Sequence, residues 1–118
     1  LPSSDLIATS DGISGIKIMP CMNSERVTMF IVMQYSLGSA CNEDNTLIIK
    51  FTDGTKIKMK SWNDFDCETA YFSPSTTDDE KLKTLDIEKI YYQNGRSFQS
   101  GTFPVQNSRY FIQLYKGI

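Results

Sequence analysis

Residues 46–60 read TLIIKFTDGTKIKMK, and the alternation on either side of Asp53-Gly54 leaves few structures open to this stretch. Leu47, Ile49 and Phe51 alternate with Thr46, Ile48 and Lys50, and Ile57 and Met59 alternate with Lys56, Lys58 and Lys60. A period of two marks strands with one buried face. If Asp53-Gly54 alone formed the turn, Phe51 would face Lys56 and Lys50 would face Ile57, mixing apolar and charged side chains on each face. A three-residue turn over Thr52, Asp53 and Gly54, with Gly54 at positive φ, instead pairs Phe51 with Thr55, Ile49 with Ile57 and Leu47 with Met59. One face is then apolar and the other carries the lysines, so face consistency selects this register.

The same register frames two of the three cysteines. Extended outward, it places Cys41 opposite Phe65 and makes Cys67 a diagonal neighbour on the same face. A Cys41–Cys67 disulfide is therefore expected; its closed loop of about 25 residues would contribute roughly 3–4 kcal/mol in chain-entropy accounting. The competing reading is that all three cysteines are small buried hydrophobes. Cys21, between Pro20 and Met22, is expected to be buried and unreactive, since only Lys17 nearby would favour its thiolate.

Strand punctuation continues along the chain. Asp11-Gly12 and Gly15 interrupt a first apolar stretch that resumes at Ile16 and Ile18 and runs to Pro20, which predicts a short strand over residues 16–19. Residues 27–35 form the strongest strand signal, with Val27, Met29, Ile31, Met33 and Tyr35 on one face and Phe30 and Val32 on the other, so a central strand covered on both faces is expected. Residues 36–45 read as a loop, residues 61–68 as a turn region and residues 70–73 as a short strand with Tyr71 and Phe72.

Residues 75–85 predict one helical piece, capped by Ser75 or Thr76, with Asp78, Asp79 and Glu80 in its first turn and Leu82 and Leu85 on one face. Asn94-Gly95 is a strong hairpin signal between strands expected over residues 87–92 and 96–103. Asn107 or Ser108 can cap a C-terminal helix that aligns Tyr110, Phe111, Leu114 and Ile118, with Gly117 near its end; a strand over residues 110–114 is the alternative. The 118 residues show no internal repeat or low-complexity linker, so one domain over residues 1–118 is expected. Its class is α+β: predominantly antiparallel β-sheet with one short helix and a C-terminal helix.

The run from Cys41 through FTDGTKIKMKSWNDFDC, then YFSPS, then LKTLDIEKIYYQNGRSF, resembles the small extracytoplasmic or lipoprotein-type domains of unknown function that are numerous in gut Bacteroidetes. The resemblance spans about residues 41–118. It implies a β-rich fold in a secreted, periplasmic or cell-surface setting and carries over no activity. A start at Leu1, with no lipobox cysteine, does not extend the resemblance to a lipid anchor, and it fits either a mature chain or a trimmed one.

Catalytic chemistry is thinly represented. The absence of histidine removes the commonest general base, the Ser-His and Cys-His nucleophile pairs and the usual zinc ligand. No CxxC pair is present. A carboxylate hydrolase using Asp64, Asp66 or Glu68 is the least favoured function, and no enzymatic activity and no cofactor are expected. The oxygens of Asp64, Asp66 and Glu68 also make a weak calcium candidate, especially if a Cys41–Cys67 bridge draws the run 42–45 toward them, but the EF-hand glycine and spacing are missing.

With 14 acidic and 12 basic residues the net charge is -2, which gives no global case for a nucleic-acid partner. The longest apolar run, residues 29–33, is too short to span a bilayer. What remains is a surface. Lys50, Lys56, Lys58 and Lys60 share one strand face and could hold an anionic glycan, with Trp62 as an aromatic platform. Lysines on a strand face more often serve simply as a solvated surface that discourages edge pairing, and a tryptophan in this setting more often packs at the rim of a core with its N–H bonded. The expected function is a non-enzymatic extracytoplasmic binding or accessory domain that contacts a glycan or protein partner; the alternative is a structural or interaction domain of a larger cell-surface protein.

Overall fold

The computed structural model describes residues 6–9, 15–23, 26–35, 45–61, 69–95, 100–105 and 107–116. Among the described residues, eight strands form two four-stranded antiparallel sheets. The first contains β1 (Leu6–Thr9), β2 (Gly15–Asn23), β3 (Arg26–Tyr35) and β6 (Thr69–Phe72), in the order β1-β2-β3-β6. The second contains β4 (Thr46–Phe51), β5 (Lys56–Lys60), β7 (Ile87–Gln93) and β8 (Ser100–Phe103), in the order β5-β4-β7-β8. A 3₁₀ turn over Thr76–Asp78 leads into α1 (Asp79–Thr84), and α2 (Tyr110–Lys116) follows the last strand. The α+β class read from the sequence is the class observed, and the C-terminal segment is helical, not extended.

Both sheets turn an apolar face into a single core. Ile18, Val32 and Ala70 form one cross-strand row of the first sheet, and Phe30 and Phe72 belong to the next, all inaccessible to solvent. The second sheet contributes Leu47, Ile49, Phe51, Ile57, Met59, Ile90 and Tyr92. Phe72 and Tyr92 meet edge to face across the two sheets, with ring centroids 6.2 Å apart. From α2, Phe111 packs on Phe30 at 5.4 Å, and Leu82 of α1 is fully buried. Edge-to-face and tilted geometries are those that aromatic quadrupoles favour.

The hairpin β4–β5 has the register that face consistency selects. Ile49 faces Ile57 and Leu47 faces Met59. The Phe51 N–H donates to the Thr55 carbonyl at 2.9 Å and the Gly54 N–H to the Phe51 carbonyl at 3.0 Å, with Gly54 at φ +91°. Asp53 Oδ1 accepts from the Thr55 hydroxyl at 2.6 Å and from its N–H at 2.9 Å. These two hydrogen bonds, the hydroxyl first, hold the Asp53 carboxyl below its ordinary value.

Several expectations are corrected. The first strand does not stop at Met19: β2 continues through Pro20 to Asn23, and the β1 pairing covers only Gly15 to Ile18, so Pro20 lies beyond it. Next to Pro20 the register slips between Cys21 and Met22, so that Met22 faces Val27 while Cys21 faces Met29. Thr28 is the extra residue, a setting in which a strand proline is tolerated. The bulge also moves Val27 off the face of Met29 and Ile31 and onto the buried face of Phe30 and Val32. β3 is interior to its sheet as expected, yet its Met29, Ile31 and Met33 face is only half-buried. Cys21 is half-buried with a free thiol, not enclosed in the core. A strand at residues 6–9 was not anticipated.

The helical piece expected over residues 75–85 divides into the 3₁₀ turn and α1, and Leu85 already has extended backbone. Ser75 caps it, with its N–H donating to the Asp78 carboxylate at 3.0 Å. Asn94-Gly95 is not a two-residue hairpin tip. Gln93 faces Ser100 and Tyr92 faces Gly101, so the β7–β8 connection is longer. One tertiary contact accompanies this register: the Gly95 N–H donates to the side-chain oxygen of the buried Asn45 at 3.0 Å. Within β8, a Cβ at Gly101 would overlap the Phe103 ring.

Candidate functional site: the lysine face of the second sheet

Because the inner face of β4 and β5 is apolar, the intervening residues all point to the other side of the sheet. Lys50 lies between Lys56 on β5 and Lys89 on β7. The next row is Lys58, Ile48, Tyr91 and Thr102, and the one after it Lys60, Thr46, Gln93 and Ser100. Lys56, Lys58, Lys60 and Lys89 are exposed, while Lys50, Ile48 and Tyr91 are half-buried. Neighbouring rows repeat at about 6.8 Å along a strand and neighbouring strands at about 4.8 Å across the sheet. The result is a grid of cations around a small apolar centre of Ile48 and Tyr91.

Lys89 was missed in the sequence. It sits two residues from Ile87 and one from Ile90, and simple alternation does not place both isoleucines, three apart, on one face. A register slip between Lys50 and Phe51 resolves this: Phe51 faces Ile87, Lys50 faces Lys89, and Glu88 is the extra residue. Ile87 and Ile90 are then both buried, and Lys89 joins the lysine grid. The Glu88 carboxylate lies 3.8 Å from Lys50 Nζ and is the acid paired with this grid among the described residues. Like charges directly opposite one another are destabilising. The sheet therefore carries Lys50–Lys56 and Lys50–Lys89 at a mild energetic cost.

The other polar cluster joins the first sheet to both helices. Asp79 Oδ2 accepts from Arg26 Nε at 2.9 Å, and Asp79 Oδ1 accepts from the Tyr115 hydroxyl at 2.9 Å. The same hydroxyl accepts the Val27 N–H at 3.0 Å, and Lys83 Nζ stands 5.5 Å from the Tyr115 ring centroid. Burial first, and the adjacent Asp79 carboxylate, push the Tyr115 hydroxyl up to about 12, against the opposing effect of the Val27 hydrogen bond. Both carboxylate oxygens have partners, so this is a polar staple of the fold and not a reactive constellation. Sequence reasoning assigned Asp79 only to a helix first turn; residues this far apart in the chain leave no local signal of their contact.

Of the sequence-derived site residues, Lys50, Lys56, Lys58 and Lys60 are brought together. Trp62, Asp64, Asp66 and Glu68 lie outside the described residues, as do Cys41 and Cys67 with their expected bridge. Of the second oxygen-rich run, Asn45 is described, and it is buried. Its carbonyl accepts the Ser61 N–H at 2.9 Å, its N–H donates to Ser61 Oγ at 3.1 Å, and its side-chain oxygen is taken by Gly95. That oxygen serves the fold. Among the described residues no group of three or more acids and cysteines is arranged to hold a metal ion, and no helix is long and apolar enough to cross a membrane. Comparison with family models, curated proteins and solved structures finds no match to this chain.

Proposed function

We propose that this chain is a non-enzymatic binding or accessory module, working outside the cytoplasm, that takes an anionic partner on the outer face of the second sheet. The observation that carries the reading is a segregation of charge. In a chain of net charge -2, five of the twelve basic residues, Lys50, Lys56, Lys58, Lys60 and Lys89, share one sheet face, and among the described residues a single acid, Glu88, pairs with them. Protection of the β5 edge accounts for Lys56, Lys58 and Lys60 but not for Lys50 and Lys89 on the interior strands β4 and β7, whereas a polyanion converts the whole arrangement into several simultaneous contacts. The half-buried Ile48 and Tyr91 add apolar area against a sugar ring or an aliphatic side chain.

A salt titration against a sulfated polysaccharide and an acidic polypeptide tests the reading. Binding of at least one is expected to weaken steeply as salt rises from low to physiological strength, where the Debye length is about 8 Å. Lys58→Glu is expected to weaken that binding further. Retention of full binding by Lys58→Glu, or no salt-sensitive binding to either probe, refutes it. The compartment rests on the family resemblance and on the Cys41–Cys67 expectation, and intact mass before and after reduction and alkylation tests the bridge. A second reading, an interaction domain within a larger cell-surface protein, draws on the outer face of the first sheet, where Met19, Ile31 and Tyr71 form one half-buried row beside Met29 and Met33.

A further inference from the structure

We propose that the anionic partner is an extended acidic segment of another protein, which adds as a strand to the outer edge of β5; this rests on the lysine-face reading and deepens it. β5 is an end strand of the second sheet among the described residues. Which of its backbone groups face outward follows from the hairpin register. Phe51 and Thr55 form a hydrogen-bonded pair, so in an antiparallel ladder Ile49–Ile57 and Leu47–Met59 are hydrogen-bonded pairs and Lys50–Lys56, Ile48–Lys58 and Thr46–Lys60 are not. The N–H and C=O groups of Lys56, Lys58 and Lys60 therefore point away from β4. One of them shows the direction directly, since the Lys56 carbonyl accepts from Lys81 Nζ of α1 at 3.2 Å. That contact closes the turn end of the edge and leaves the stretch at Lys58 and Lys60 for an incoming strand.

Side chains and backbone then select the same partner. An added strand places alternate side chains beside Lys58 and Lys60 on the outer face, at the strand spacing of about 4.8 Å. Acidic residues at those alternate positions meet Lys58 and Lys60 in register, with Lys56 at the closed end of the row. The residues between fall on the opposite face, the side of Ile57 and Met59, and that face calls for apolar or β-branched residues at those positions. The same lysines reject a second copy of this chain. Antiparallel pairing of two β5 edges sets Lys58 against Lys58 and Lys56 against Lys60, so like-charge repulsion discriminates against self-association. Edge lysines thus block indiscriminate pairing while admitting an acidic strand.

A capped heptapeptide alternating glutamate and valine, followed by fluorescence anisotropy with the full chain, tests this. Two companion probes are the same peptide N-methylated at the amides that would face β5, and a sulfated polysaccharide that has anions but no peptide backbone. The unmethylated peptide is expected to bind in a salt-sensitive manner, to weaken about tenfold or more on Lys58→Glu, and to protect the Lys58 and Lys60 amides from hydrogen exchange. The methylated peptide is expected to lose binding by about tenfold or more. Equal binding of both peptides, or binding of the polysaccharide alone, overturns strand addition and leaves the lysine face as an anion site. Failure of every probe overturns both readings. Lys58 is exposed, so Lys58→Glu retains the fold; Lys58→Gln, expected to give an intermediate loss, provides the check.

Discussion

The two sheets contribute the same chemistry to their shared core and opposite chemistry to their outer faces. Behind the first sheet lies the row Met19, Ile31 and Tyr71, flanked by Met29 and Met33, all half-buried. Behind the second lie five lysines around Ile48 and Tyr91, and four of those lysines are exposed. The inner faces answer to one requirement, dense apolar packing, and so converge. Nothing in folding alone requires the outer faces to differ, so the difference reports on what each face meets. The cationic face is the one whose composition works slightly against the fold, which is why it carries the functional proposal.

The comparison depends on the sheets sharing one core, and the largest expected effect tests that. Phe72→Ala, which removes the ring that meets Tyr92 across the sheets, is expected to cost about 3–5 kcal/mol and to leave one cooperative urea transition by circular dichroism. A biphasic transition would show the sheets to be separate units. Next, glutamate introduced at the centre of each outer face should separate them: Ile31→Glu is expected to cost about 1–3 kcal/mol and Ile48→Glu, opposite Lys58, about 1 kcal/mol or less. Equal costs would erase the distinction.

The first sheet is also held by the polar staple. Tyr115→Phe is expected to cost about 1–2 kcal/mol, because the Val27 N–H and Asp79 each lose a partner. Its pH signature has a definite sign. The folded hydroxyl titrates at about 12 against an ordinary value of 10.0, so the folded state holds that proton more tightly. The contribution is complete below pH 10 and is lost as pH rises through about 12. A difference between the wild type and Tyr115→Phe in thermal stability that narrows over this window is the expected outcome. Within the second sheet, Gly54→Ala is expected to cost about 1–2 kcal/mol in urea unfolding, from backbone strain alone, because a Cβ there meets no neighbour within 4 Å. The smallest effect is expected on the lysine grid. Lys56→Ser should change stability by no more than about 0.5 kcal/mol, since it relieves repulsion with Lys50 while removing nothing buried.

The hairpin of β4 and β5 was legible because everything that specifies it lies within fifteen residues: alternation, an Asp that bonds its own turn, and a glycine where φ is positive. The lysine face was legible with it, as a consequence of register. The positions of Val27 and Lys89 were not, because each depends on a single extra residue, Thr28 or Glu88, that shifts alternation by one and is placed by its neighbouring strands.

The same contrast separates the two turn signals in this chain. Asp53-Gly54 forms the expected turn because its partners are adjacent in sequence, and local hydrogen bonds close it before any distant contact is needed. Asn94-Gly95 carries an equally strong local signal, yet its amide is claimed by Asn45, fifty residues away, and the Tyr92–Gly101 pairing moves the turn outward. By itself the sequence determined strand periodicity, the register of one hairpin and the cationic face. Tertiary structure alone decided the bulges, the closure of the second hairpin and the Arg26–Asp79–Tyr115 staple, because each is the choice of one partner among several locally equivalent ones, and only packing of the common core makes that choice.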